Sequence, residues 1–167
     1  MQGAMIIELR EHLIAKAIAK YGWPKDDADI AINEFIKFIE IALCAPPSFI
    51  QVVPTIDNIW HEAILQTEAY ESLCNSFSPG NFLHHRSQSY EAYSEGVQED
   101  VLLEENLSWT VNYLLRFGKF TDHTLKYWTF PNYLVHQLGW NLDEINCLDK
   151  LDFEEQMPSF QIEMRAE

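Results

Sequence analysis

Apolar residues recur at three- and four-residue intervals along most of the chain, a spacing that predicts helices and not strands. The first run, over 5–21, sets Ile6, Leu9, Leu13 and Ile14 on one side of a helix, and Gly22 ends it. Trp23-Pro24 opens a second helix over 25–44. Its first residues include Asp26, Asp27 and Asp29, where unpaired N–H groups and the helix dipole favour negative charge. Ile32, Phe35, Ile36, Phe38, Ile39 and Leu43 give this helix a wide apolar surface against one clear polar stripe of Asn33, Lys37 and Glu40, so it is expected at the centre of the fold. Pro46-Pro47 stop it.

Pro54-Thr55 open a third helix, with Thr55 as its expected cap, that continues to about 76 before Ser78-Pro79-Gly80 turn the chain. At 3.6 residues per turn, Ile56, Ile59, Trp60, Ala63, Thr67, Tyr70, Cys74 and Phe77 share one broad core face, and Asp57, His61 and Glu68 lie on its flank. A loop over 81–89, a short helix over 89–96 and a longer one over 100–117 follow, the last with Val101, Leu102, Leu107, Val111, Leu114 and Leu115 as its apolar positions. Thr121 caps another short helix to about 127, Pro131 interrupts or restarts it, Gly139 ends it, and 141–148 has the pattern of a capped short helix. The best strand candidate, 49–53, is short and reads equally as extended chain. The expectation is an all-α fold, a single-domain bundle of five to seven helices over 5–151, followed by an acidic tail over 152–167. Residues 1–4 read as the leftover of a protease site, with Met5 as the native start.

A chain of 167 residues, 47% of them apolar, has the length of one domain and enough apolar surface to offset the entropy of ordering it. No stretch reads as a signal peptide or a membrane span, because charges interrupt the apolar first helix. Cys44, Cys74 and Cys147 are odd in number and widely spaced, which excludes a disulfide framework or a thiolate zinc site and implies reduced thiols in the cytoplasm. The net charge is −15, and it is spread: five basic and eleven acidic residues up to His85, six and fifteen after it. Phosphate recognition needs a basic face and none is apparent, so neither nucleic acid nor an anionic membrane is expected as a partner. A basic protein partner fits the charge, as does solubility alone.

Chemistry concentrates in one stretch. Asp57 and His61 stand one helical turn apart and can meet. His84-His85 follow the turn, and a fold-back would bring an imidazole to them. One carboxylate with two or three imidazoles suits a divalent transition metal such as zinc, iron, nickel or manganese, so Asp57, His61, His84 and His85 are the candidate ligands. The same pairing suits a general acid–base pair, in which the carboxylate orients the imidazole. A structural reading also stands: Asp57 supports the helix N-terminus, and His61 bonds Asp57. Cys74 points away from His61 and reads as a small buried hydrophobe. Trp60-His61-Glu62 is not a metalloprotease helix, since Leu65 occupies the place of the second histidine.

The run Val53-Pro-Thr-Ile-Asp57-Asn-Ile-Trp60-His61 with Leu65, Thr67, Tyr70 and Cys74, then Gly80, Phe82 and His84-His85, resembles the helical module of the glycine-rich domain-containing protein-like family. The likeness is strong over 35–86 and weaker through Phe117-Gly118, Thr121-Asp122 and Tyr127-Trp128 to about 147. Some members carry a histidine where this chain has Ala63, many have proline where it has Arg86-Ser87, and no glycine-rich tract is present. The resemblance implies membership and carries over Asp57, His61, His84 and His85 as site residues, with no reaction attached.

Three functions follow. First comes a non-catalytic binding or accessory module for a protein partner. Second is a small metal-dependent enzyme built on the Asp/His cluster. Third is an acidic inhibitor or immunity-type protein, allowed by Glu99-Asp100, Glu104-Glu105 and Glu154-Glu155.

Overall fold

The computed structural model describes residues 2–45, 52–85 and 90–150, with no side-chain description at 2, 90 and 91. The expected acidic tail, Pro46-Pro47, Arg86-Ser87 and most of the extended stretch 49–53 lie outside these residues. Among the described residues the fold is all-α, without strands: nine α-helices and one 3₁₀ turn, against the five to seven helices expected. None of these helices is long and apolar enough to cross a membrane. Within the stretch expected as one domain, the chain gathers into two compact units, Met1–Gln88 and Ser89–Glu167.

The first unit holds α1 (Gln2–Tyr21), α2 (Lys25–Cys44), α3 (Pro54–Ile64) and α4 (Thr67–Phe77), each packed against the other three. Leu9, Leu13 and Ala17 form the buried edge of α1 at four-residue spacing. Gly22 closes α1 at φ +69°, where Trp23 N–H reaches back to the Ala17 carbonyl at 3.4 Å. Ala28, Ala31, Ile32, Phe35, Phe38, Ile39 and Ala42 are buried along α2. Arg10 ties α1 to α2 through Asp29 at 2.8 Å.

Two features depart from the pattern. The expected third helix is two helices, broken at Leu65 and Gln66, where Gln66 adopts ψ +60°. The break accompanies a contact between Trp60 and Tyr70. In an unbroken helix they would stand about 15 Å apart along the axis, yet here Trp60 Nε1 donates to Tyr70 Oη at 2.8 Å. The helix opens at Pro54 as expected, but Thr55 is not the cap: Val53 is at the N-cap and Pro54 at the first helical position, where its missing N–H costs nothing.

The second unit comprises α5 (Tyr90–Ser94), α6 (Glu99–Phe117), α7 (Asp122–Leu125), α8 (Thr129–His136), α9 (Leu142–Ile145) and the 3₁₀ turn Leu148–Lys150. Tyr113 of α6 stacks on Phe120 with ring centroids 3.9 Å apart, and Trp128 meets Tyr113 edge-on at 4.9 Å. The buried Asn146 side chain accepts from Phe120 N–H at 2.7 Å and donates to its carbonyl at 3.0 Å. Thr121 caps α7 as expected, and Asn141 caps α9 in a reciprocal box with Glu144. Pro131 falls in the first turn of α8, so it sits in a restarted helix.

Candidate metal centre

The centre begins with the eleven residues of α3. Asp57 stands in its first turn and His61 in its last, each at the end of the helix dipole that favours its charge type. One turn separates them, and His61 Nδ1 lies 3.5 Å from Asp57 Oδ2. The buried face of α3 carries Ile56, Ile59, Trp60 and Ala63, so the rigid packing of Trp60 fixes the azimuth of its two polar neighbours.

The third group arrives from the chain after α4. Gly80 turns at φ +81°, with its N–H donated to Asn75 Oδ1 at 2.8 Å, and Asn81 N–H reaches the Ser78 carbonyl at 3.0 Å. Tyr70 Oη then donates to the Leu83 carbonyl at 2.8 Å, and Phe82 packs edge-on against the Tyr70 ring at 5.2 Å. Two residues on, His85 Nε2 lies 2.7 Å from Asp57 Oδ1. Its ring meets Trp60 edge-on at 4.6 Å and His61 at 4.4 Å.

Of the four expected ligands the structure therefore converges three. Asp57, His61 and His85 each offer a ligand atom, and these atoms all lie within 4.8 Å of one another. His84 is not among them: it is exposed and packs on the Phe82 ring at 4.8 Å. The side chains grade from inside to outside, His85 being 15% exposed, Asp57 33% and His61 55%.

The donor set fits a first-row divalent ion. Nitrogen and oxygen ligands sit at about 2.0–2.2 Å, so neighbours on one ion stand roughly 3.0–3.4 Å apart. The Asp57–His61 distance, 3.5 Å, is close to that size, while the three donor atoms together lie within the wider limit of 4.8 Å. The Asp57–His85 distance, 2.7 Å, is that of a hydrogen bond and would have to open for both atoms to hold an ion. Two neutral imidazoles and one carboxylate would leave an ion of charge +2 with further positions open on the solvent side, beside His61.

Beneath the centre, Cys74 and Tyr70 belong to the core, and burial pushes both the thiol and the phenol above their ordinary values. Cys74 is a buried hydrophobe, as its angular position predicts. Two buried carboxylates escaped the sequence reading. Glu62, next to His61, faces the opposite way and takes the ammonium of Lys20 from α1, which holds the carboxyl below its ordinary value. Glu34 is 1% exposed and receives Lys37 Nζ at 2.6 Å. For Glu34 the signal was Lys37, three residues on along the same helix; for Glu62 the partner lies 42 residues away in α1 and no local pattern announced it. The Trp60–Tyr70 contact also had a signal, since a buried indole and a buried phenol each need a partner.

No family model, no curated protein and no solved structure matches this chain.

Proposed function

We propose that the first unit is a metal-binding module, with Asp57, His61 and His85 as ligands to one divalent transition ion. The convergence of these three donor atoms carries the reading. A solvated charge pair on a helix needs no third partner, yet here a separate chain segment delivers a mostly buried imidazole to the same carboxylate. The positions behind the likeness to the glycine-rich domain-containing protein-like family support the assignment, and we propose membership on the same ground. Trp60, Tyr70, Gly80 and Phe82 build the scaffold, and Asp57, His61 and His85 are what it presents.

The open side of the ion is where a substrate atom or a donor from a partner would enter. A partner supplying that donor would make the unit an accessory module. Free thiols at Cys44 and Cys147, both exposed, favour a cytoplasmic setting.

The test is elemental analysis after equilibration with zinc and removal of excess, on the wild-type chain beside His61→Ala and His85→Ala. One equivalent per chain is expected in the wild type, with uptake lost in both variants while their helical circular dichroism persists. Uptake that neither substitution changes would sink the reading, as would none in the wild type.

A further inference from the structure

We propose that Tyr70 is the positioning residue of this centre: its phenol, held by Trp60, pins the Leu83 carbonyl and thereby sets the imidazole of His85 against Asp57. The consequence for metal affinity rests on the metal-binding reading, whereas the placement of His85 does not.

Hydrogen-bond accounting fixes the direction of the relay. An indole N–H only donates and a backbone carbonyl only accepts, so the phenol between them must accept from Trp60 and give its one proton to Leu83. Both contacts are 2.8 Å. Tyr70 is 0% exposed, and its burial keeps the hydroxyl protonated and therefore able to donate. The relay closes a loop through the site: Trp60 lies beside His61 in sequence, its ring abuts His85, and its N–H begins the chain of bonds that ends two residues before His85. Segment 82–85 has further restraints, since the Cys74 thiol also meets the Leu83 backbone and His85 bonds Asp57 itself, whereas Phe82 is 38% exposed and His84 packs on the Phe82 ring. Removing the phenolic oxygen would leave a buried donor and a half-buried acceptor without this partner while keeping the ring that packs on Phe82.

Tyr70→Phe tests the proposal, with cobalt(II) as probe and Leu13→Val, a core change in α1, as a control for lost stability. Tyr70→Phe is expected to bind cobalt about 10–100-fold more weakly, as is typical when the support of a ligand is removed. Its d–d spectrum should change, with the control unchanged in both respects. In the metal-free protein, the ¹⁵N resonances of the His85 imidazole should move in Tyr70→Phe as the bond to Asp57 loosens. Equal cobalt affinity and unmoved His85 resonances would overturn the positioning role and leave the metal reading standing. A wild-type chain that takes up no cobalt would remove the metal reading, and the His85 resonances then decide the positioning role by themselves. Should Tyr70→Phe not fold, benzothienylalanine in place of Trp60 keeps a bicyclic ring against His85, removes only the indole N–H and so interrupts the relay at its other end. A moved His85 resonance there supports the proposal, and an unmoved one counts against it equally.

Discussion

Each of the two compact units contains a connecting segment tied down by one buried polar side chain, and the two ties have different cargo. In the second unit Asn146 holds both backbone groups of Phe120, and the tied residue presents an aromatic ring to Tyr113. In the first unit Tyr70 holds the carbonyl of Leu83, and the tied segment presents His85 to a carboxylate and a second imidazole. The tether itself is a structural device in both places, satisfying backbone groups that are buried at Phe120 and half-buried at Leu83. What separates a structural loop from a candidate site is the chemistry of the side chain that the tether delivers. Breaking the two tethers should therefore have comparable effects on stability and unlike effects on metal uptake.

The largest expected loss is at Asn146. Asn146→Ala leaves the N–H and the C=O of Phe120 without their partner, for roughly 2–4 kcal/mol of destabilisation. The urea midpoint should fall with zinc uptake unchanged at one equivalent. A loss of uptake would show that the site depends on more than the first unit. Tyr70→Phe should cost somewhat less, about 1–3 kcal/mol, because one hydroxyl is removed and the ring remains. Here weaker uptake is expected, which is the contrast with Asn146.

A third change probes the site's neighbour. The hydrogen bond from Lys20 depresses the Glu62 carboxyl, so its contribution is present above the pKa of the unfolded chain and disappears as pH falls through the lower folded value. The raised Lys20 behaves conversely, its contribution being lost as pH rises through the folded value. Glu62→Gln should consequently flatten the acid limb of the stability curve, seen as urea midpoints that vary less with pH on the acid side. An unchanged acid limb would mean that the pair contributes nothing.

How far the sequence foretold this arrangement depends on whether local or distant groups decide each feature. Gly22, Thr121 and Asn141 end or begin helices where the reading put them, because a positive φ or a cap is settled within four residues. The break at Leu65 and Gln66 was not legible. Neither glycine nor proline marks it, and the apolar stripe runs on through it. The break accompanies the bond between Trp60 and Tyr70, which an unbroken helix could not make and periodicity does not encode. Asp57 and His61 were legible as a pair because one helical turn fixes their meeting. The choice between His84 and His85 was not, since the path of the loop, pinned at Leu83, decides which ring turns inward.

The smallest expected change in intrinsic stability is also the sharpest test of the comparison. Asp57→Asn keeps the size of the side chain and its place in the first turn of α3. It gives up the charge that favours the helix N-terminus, for about 0.3–1 kcal/mol, and weakens the contacts with His85 and His61 while leaving one side-chain oxygen to accept. A purely structural Asp57 would end there, and the variant would melt close to the wild type with or without metal. A ligand role adds a second effect. An ion that binds only the folded chain stabilises it by about 2.7 kcal/mol at one hundred times the dissociation constant. Zinc should therefore raise the melting temperature of the wild type and leave Asp57→Asn where it was. The difference between the two zinc responses measures what the carboxylate does beyond holding its helix. Equal responses would return Asp57, His61 and His85 to the same standing as the tether at Asn146, a group that holds structure and nothing more.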